Sequence, residues 1–280
     1  GPLVVGLSAA ATLRLTGSNA LSSLSRTNGC NGVEVNSPLP NCTNIFFEPG
    51  TIAITNPLHI SNAILTFRGG SMLRNVTTDV PFANPVVLEG DMGLGGSGLI
   101  AILSDILLTA NRTVRIESTS NALTAMKRFN GAFTGPGRLT IITSSSNRLS
   151  QFWGTNTHTG GTTIQNGTVG LMGSMSTGDL LVTDSAPVTG ICVFTFRDSD
   201  CIVVSNASLN MSFMKVNLAE VRRRSLTLVD YALATSFTIP SPLSNLLTPD
   251  SLALGWTIRD TGTTLEAERP TKVGTLIFFR

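Results

Sequence analysis

The sequence predicts an all-β chain wound as a parallel β-helix, a β-solenoid, in a single domain over residues 1–280. Three observations carry that expectation. Short alternating or β-branched runs recur along the whole chain, and each is followed within a few residues by Gly, Asn, Asp, Pro or Ser, which form turns for distinct backbone reasons. No Pro/Ser-rich linker or charge run divides the 280 residues, a large number for one sandwich. Only 13% of side chains are charged, 19 basic and 17 acidic, about half the roughly 25% usual in soluble domains, whereas the sequence holds 28 Ser, 36 Thr and 20 Asn. Stacked coils set like positions a few ångströms apart, where repeated charges repel and Ser, Thr and Asn hydrogen-bond.

Taken in order, the strands are expected at 12–15, 51–55, 63–67, 113–117, 138–142, 180–183, 191–196, 225–229, 256–259 and 273–278. Helix signals are weak. Asn121 to Phe129 and Leu218 to Arg224, the latter with Asn217 as a cap and Glu220 three residues on, each suffice for two turns. Neither is long enough for a crossover between parallel strands. With about 20 to 29 residues per coil, by analogy with other strand-based repeats, the chain makes roughly ten to fourteen coils. At about 4.8 Å per coil the rod is roughly 50 to 65 Å long. Val, Ile, Leu and Phe fill its lumen, and adjacent pairs such as Phe46-Phe47 and Phe278-Phe279 place one ring of each outward.

The balance of the composition excludes several classes. A net charge of +2 with 41% apolar residues is neither the signature of disorder nor that of a nucleic-acid partner. The most apolar stretch, Leu99 to Leu108, is interrupted by Ser104 and Asp105, so no membrane span is expected. The four cysteines form two local pairs; the favoured disulfides are Cys30 with Cys42 and Cys192 with Cys201, against the alternative of buried thiols. Their spacings of twelve and nine do not suit a structural zinc site. Asn41, Asn75, Asn111, Asn166, Asn206 and Asn210 open Asn-x-Ser/Thr sequons and are the candidate glycosylation sites, although 20 Asn among so many Ser and Thr give roughly 4.6 by chance. The composition also reads as extracellular, since Lys is scarce, at three against 16 Arg.

One segment carries a resemblance. Phe129-Asn-Gly-Ala-Phe-Thr-Gly-Pro-Gly-Arg-Leu-Thr140, followed by Asn156-Thr-His-Thr-Gly-Gly-Thr-Thr-Ile-Gln-Asn-Gly-Thr-Val169, resembles the passenger-associated repeat of bacterial autotransporters. Gly135, Gly137 and Leu139 match its first part; Asn156, Gly160, Thr162, Ile164 and Gly167 match its second. His158 stands where that family has Tyr, and Val169 where it has Leu. The match covers about 40 residues, once, within 129–169. Residues 226–280, with Leu228-Val-Asp-Tyr231 and Gly255-Trp-Thr-Ile258, are similar, less specifically, to the closing coils of such passengers. The resemblance implies a right-handed parallel β-helix exported to a cell surface. On its own terms the repeat is a corner motif: Gly160-Gly161 and Asn166-Gly167 supply positions that tolerate positive φ around the strand at Thr162.

The chemistry-bearing residues are few. Glu89 with Asp91, Asp198 with Asp200, and Glu266 with Glu268 are spaced two apart, which on a strand aims both carboxylates to one face about 7 Å apart, a separation glycosidases use. Asp198 with Asp200 is the best of the three, and with Asp184 it is the candidate for calcium, against a solvated loop. His59 and His158 have no third ligand or base beside them, so packing is the expected role of each. Arg222-Arg223-Arg224 suits an acidic glycan or head group but is a small footprint. Trp153, Trp256 and Tyr231 are the only Trp or Tyr available as sugar platforms. No cofactor, metal or catalytic constellation is expected. The expectation is a non-catalytic extracellular solenoid, a surface stalk or adhesin, whose partner is a host or neighbouring-cell surface molecule or copies of itself. The alternatives are a self-assembling filament or surface-layer subunit, and a polysaccharide-processing lyase or hydrolase.

Overall fold

A computed structural model describes residues 2–5, 12–15, 23–26, 32–36, 38–47, 49–54, 56–60, 63–75, 80–118, 126–143, 149–165, 168–175, 179–183, 187–190, 193–198, 200–212 and 214–270. Its strands are short and lie in four parallel stacks. Among the described residues the first face carries seven strands, from Pro2–Val5 to Phe133–Thr134. The second carries thirteen, from Thr12–Leu15 to the C-terminal hairpin, and the third eight, from Val80–Phe82 to Ser236–Thr238. A further four strands, Thr155–Asn156 to Lys215–Asn217, continue the first face, because Thr157 N and Thr159 N donate to Phe133 O and Gly135 O at 2.9 and 2.8 Å. The chain is therefore a parallel β-solenoid, as its composition and turns predict.

Register explains the core. On the second face Met92, Val114, Ile141, Ile164, Val182 and Val204 lie one above the next, all buried. A coil accordingly takes between 18 residues, Ile164 to Val182, and 27, Val114 to Ile141. Period-two alternation puts every second side chain into the lumen. There, like residues meet like: Phe47 stacks on Phe67 with centroids 4.4 Å apart, and Phe129 on Phe152 at 4.9 Å. Each such ring removes apolar surface from water worth about 1.5–3 kcal/mol. The outcome is one apolar cluster that runs from Leu24 to Ala267. Phe46 points outward while Phe47 is fully buried, as an extended segment requires; Phe278 and Phe279 lie outside the described residues.

Corners are set by glycine where coils touch. A Cβ on Gly160 would lie 2.4 Å from the carbonyl carbon of Gly137 below it, so neither position has room for a side chain. Gly161 beside it has φ +86°, which a side chain disfavours.

The C-terminal end departs from the parallel rule. Ser225–Leu233 pairs in parallel with Ile202–Ser205 on one edge and antiparallel with Thr264–Glu268 on the other. Thr264–Glu268 then pairs antiparallel with Thr257–Asp260, which forms the outer edge. Beside this hairpin a short helix, Pro249–Ala253, starts at Thr248, whose Oγ1 accepts from Ser251 N at 3.4 Å. Ser251 Oγ in turn accepts from Leu218 N at 2.8 Å and ties the helix to the last coil. Trp256 is buried below, with the Arg269 guanidinium 5.1 Å from its ring.

Several local expectations fail. Phe129 ends the strand Lys127–Phe129, and 121–125 lie outside the described residues, so no helix reaches it. Leu218 to Arg224 is a turn: Asn217 Oδ1 does accept from Ala219 N at 3.1 Å, but Asp198 takes the N–H groups of Arg222 and Arg223 that would continue a helix. His59 sits in a 3₁₀ turn, Pro57–Ile60. Cys42 and Cys201 are free thiols. Cys42 is buried in the apolar core and bonds Asn44 O at 3.3 Å; Cys30 and Cys192 lie outside the described residues. No helix among the described residues is long and apolar enough to cross a membrane.

Candidate functional site

A polar concavity lies where the cap meets the last coil. It is a cleft of about 470 Å³ lined by Asp198, Asp200, Cys201, Arg223, Ser225, Leu226, Thr227, Glu266 and Glu268. Two of the three carboxylate pairs thus meet in one place. Glu266 and Glu268 alternate with buried residues on Thr264–Glu268 and face one way, as their spacing predicts. Antiparallel register sets Glu268 beside Ser225 and Glu266 beside Thr227, which carries both acids to the coil that holds Asp198 and Asp200.

Each carboxylate has a bonded role. Asp198 Oδ1 accepts from Arg222 N at 2.7 Å and Arg223 N at 3.0 Å. Those two backbone donors hold its carboxyl below the ordinary aspartate value, so it is ionised at neutral pH. Asp200 is 4% exposed, and burial pushes its carboxyl up against the opposing pull of the Arg197 N–H, which it accepts at 2.8 Å. The two aspartates are therefore displaced in opposite directions. Glu266 accepts from Arg259 Nη2 at 2.5 Å, and Glu268 lies 3.7 Å from the same nitrogen. The Cys201 thiol is pushed up to about 11 by burial, which leaves it protonated and poorly nucleophilic at neutral pH.

The remaining candidates are scattered. Glu89 pairs with Arg68 at 2.6 Å, and Asp91 Oδ1 accepts from Thr113 N at 2.8 Å. His59 Nδ1 lies 3.4 Å from Val35 O. His158 is fully buried at the corner of the repeat, with Nε2 2.8 Å from Thr162 Oγ1 and its ring edge-on to Phe133 at 6.4 Å. Burial lowers its pKa to about 4, so it packs as a neutral ring. Trp153 is 40% exposed beneath the Arg128 guanidinium, whereas Trp256 is inside the cap. Tyr231 stacks on Phe237 and donates to Asp260.

Among the described residues no three of His, Cys, Asp and Glu come together closely enough to hold a metal ion, and Asp184 lies outside them. Of the sequon residues, Asn41, Asn111 and Asn206 are exposed and Asn210 is half-buried; Asn75 sits in the strand Ser71–Asn75, and Asn166 lies outside the described residues. Of the Arg222–Arg224 run, Arg223 lines the cleft; sequence reasoning missed Ser225 and Thr227, because only the antiparallel return of the hairpin brings the glutamates to them. No protein-family model, curated protein or solved structure matches the chain.

Proposed function

We propose that the chain is a non-catalytic β-solenoid that serves as a stalk or adhesin-like structural protein at a cell surface, built like the passenger of a bacterial autotransporter. The observation that supports this most is the single apolar cluster from Leu24 to Ala267, which ties every described coil to its neighbours and makes the rod stiff enough to hold its outward loops at a fixed distance. The repeat at 129–169 agrees with the passenger reading. Gly135 has φ +97° and Gly161 φ +86° at its corners, and Asn156 Oδ1 accepts from Phe133 N at 3.0 Å, bonding one coil to the next. Cleft carboxylates that hold turns and a hairpin together suit a structural role.

A second reading rests on one observation. Asp198 and Asp200 line the same cleft with their carboxyls displaced in opposite directions, as general acid and base pairs are. That favours a polysaccharide-processing enzyme. Incubating the protein with a panel of acidic and neutral glycans, beside Asp198→Asn and Asp200→Asn, separates the two. No product above buffer is expected from any of the three proteins. Turnover by the parent protein that both variants lose would replace the stalk reading with the enzyme.

A further inference from the structure

The first face carries an apolar patch on its outer side, away from the cleft. Four consecutive rungs of that face, Asn44–Phe47, Ile64–Phe67, Val86–Leu88 and Ile106–Leu107, align Phe46, Thr66, Val87 and Leu107 in one column on the side away from the lumen, where Phe46 is half-buried and Thr66 only 4% exposed. Val87 is 43% and Leu107 53% exposed. The neighbouring column places Ile64, 37% exposed, beside Pro85, whose carbonyl accepts from Leu65 N at 2.9 Å. On the other flank Arg68 and Glu89, on adjacent rungs, form an ion pair at 2.6 Å, and Arg68 lies over the Phe46 ring at 4.3 Å. The exposed Val87 and Leu107 lie on adjacent rungs with Ile64 and Pro85 beside them, an apolar surface of the kind that marks a protein interface.

From the symmetry of this pattern we infer that the occupant is a second copy of the same chain, packed face to face about a twofold axis. The axis runs parallel to the strands, midway between the Ile64–Phe67 and Val86–Leu88 rungs. Rotation about it exchanges the two inner rungs and the two outer ones. Phe46 then meets Leu107 of the second copy, Val87 lies over the buried Thr66, and Ile64 meets Pro85, so exposed apolar side chains meet apolar ones along the patch. The same rotation sets Arg68 against the second copy's Glu89, and Glu89 against its Arg68, so the charged flank is self-complementary. An isologous interface demands this reciprocity, in which residue i meets j and j meets i. An axis along the stack instead pairs each rung with itself and leaves Arg68 facing the apolar column. In the proposed dimer the two rods run antiparallel. Four rungs about 4.8 Å apart make a small patch beside the roughly 800 Å² per partner of a standard interface. The expected dissociation constant is therefore micromolar or weaker. This inference stands independently of the stalk reading.

Sedimentation equilibrium from micromolar to millimolar protein tests it. Dimer that accumulates with concentration is expected, with dissociation at least tenfold easier in Val87→Asp and Leu107→Asp, whose circular dichroism matches the parent. A second variant fixes the geometry. Phe46→Cys with Leu107→Cys places the thiols three rungs apart within one chain, roughly 14 Å, too far for a disulfide between them, but opposite each other across the dimer. Oxidation is expected to give a covalent dimer whose linking peptide joins 46 to 107. Parent protein that stays monomeric to millimolar concentration, association that both aspartate variants leave unchanged, or a 46-to-46 link would each overturn the proposal.

Discussion

The middle coils and the C-terminal cap solve opposite problems. Between Met92 and Val204 each strand of the second face has a parallel neighbour above and below, so the interior repeats: aliphatic on aliphatic, Phe129 on Phe152, glycine on glycine at the corner. Among the described residues the last parallel strand, Ser225–Leu233, meets an antiparallel hairpin instead of a further coil. The chain there turns antiparallel and lays a hairpin along Ser225–Leu233, then exposes Arg259 and Asp260 on the final edge strand. Charged residues at a free edge discourage further strand addition. Carboxylates that are rare inside the stack do the joining here, with Asp198 holding two backbone N–H groups of the turn that leads into the cap. Repetition stabilises the stack through apolar contact, whereas its termination depends on individual polar bonds.

Substitutions should expose that contrast. Phe152→Ala removes a ring that touches both Phe129 and Phe133 and leaves a cavity in the stack, so a loss of about 3–5 kcal/mol is expected in chemical denaturation. Trp256→Ala empties the cap by a similar volume, with an expected loss of about 3 kcal/mol. Its signature differs: hydrogen exchange should rise in the cap and leave the coils before Val204 protected. Equal exposure throughout would show that stack and cap unfold as one unit and erase the distinction.

A buried histidine offers a probe of the stack alone. His158 is neutral when folded, with a pKa near 4, and takes up a proton near 6.5 when unfolded. The unfolded chain therefore binds more protons between those values. Its contribution is complete above about pH 6.5 and declines as pH falls to about 4, by about 3 kcal/mol in all. In His158→Gln, which keeps a polar partner for Thr162, that part of the acid sensitivity should vanish; an unchanged pH profile would assign it elsewhere. The smallest effect belongs to the surface of the cap. Arg259→Ala removes an ion pair whose arginine is 64% exposed, so a change below about 1 kcal/mol is expected, and one that fades in salt.

The coils were legible because their rules are local. Alternation and turn residues located strands such as Leu180–Thr183, and Gly160-Gly161 located a corner. The cap was not, since its pairing joins Ser225 to Glu268 across an intervening helix and hairpin that no local pattern announces. The same limit governed the cleft. Each pair of acids was visible two residues apart, but their convergence follows only from antiparallel register. Leu218 to Arg224 looked helical because Asn217 does cap a turn there; the competing acceptor, Asp198, stands some twenty residues earlier in the chain. The cysteines show another limit. Proximity in sequence says nothing of whether a cysteine faces the lumen, and Cys42 does.

Unequal coil lengths have a consequence for how such a chain can change. Met92, Val114, Ile141, Ile164 and Val182 stay in register although 27 residues separate one neighbouring pair and only 18 another. The surplus residues must leave and rejoin at the bends, where they do not disturb the pleat. An extra residue ahead of Thr140 in the strand Leu139–Thr143 would turn Thr140 into the lumen and Ile141 out of it. Additions at a bend carry no such penalty. Insertions and deletions should therefore accumulate at the bends, which lets the outward loops diversify while the scaffold beneath them is inherited unaltered.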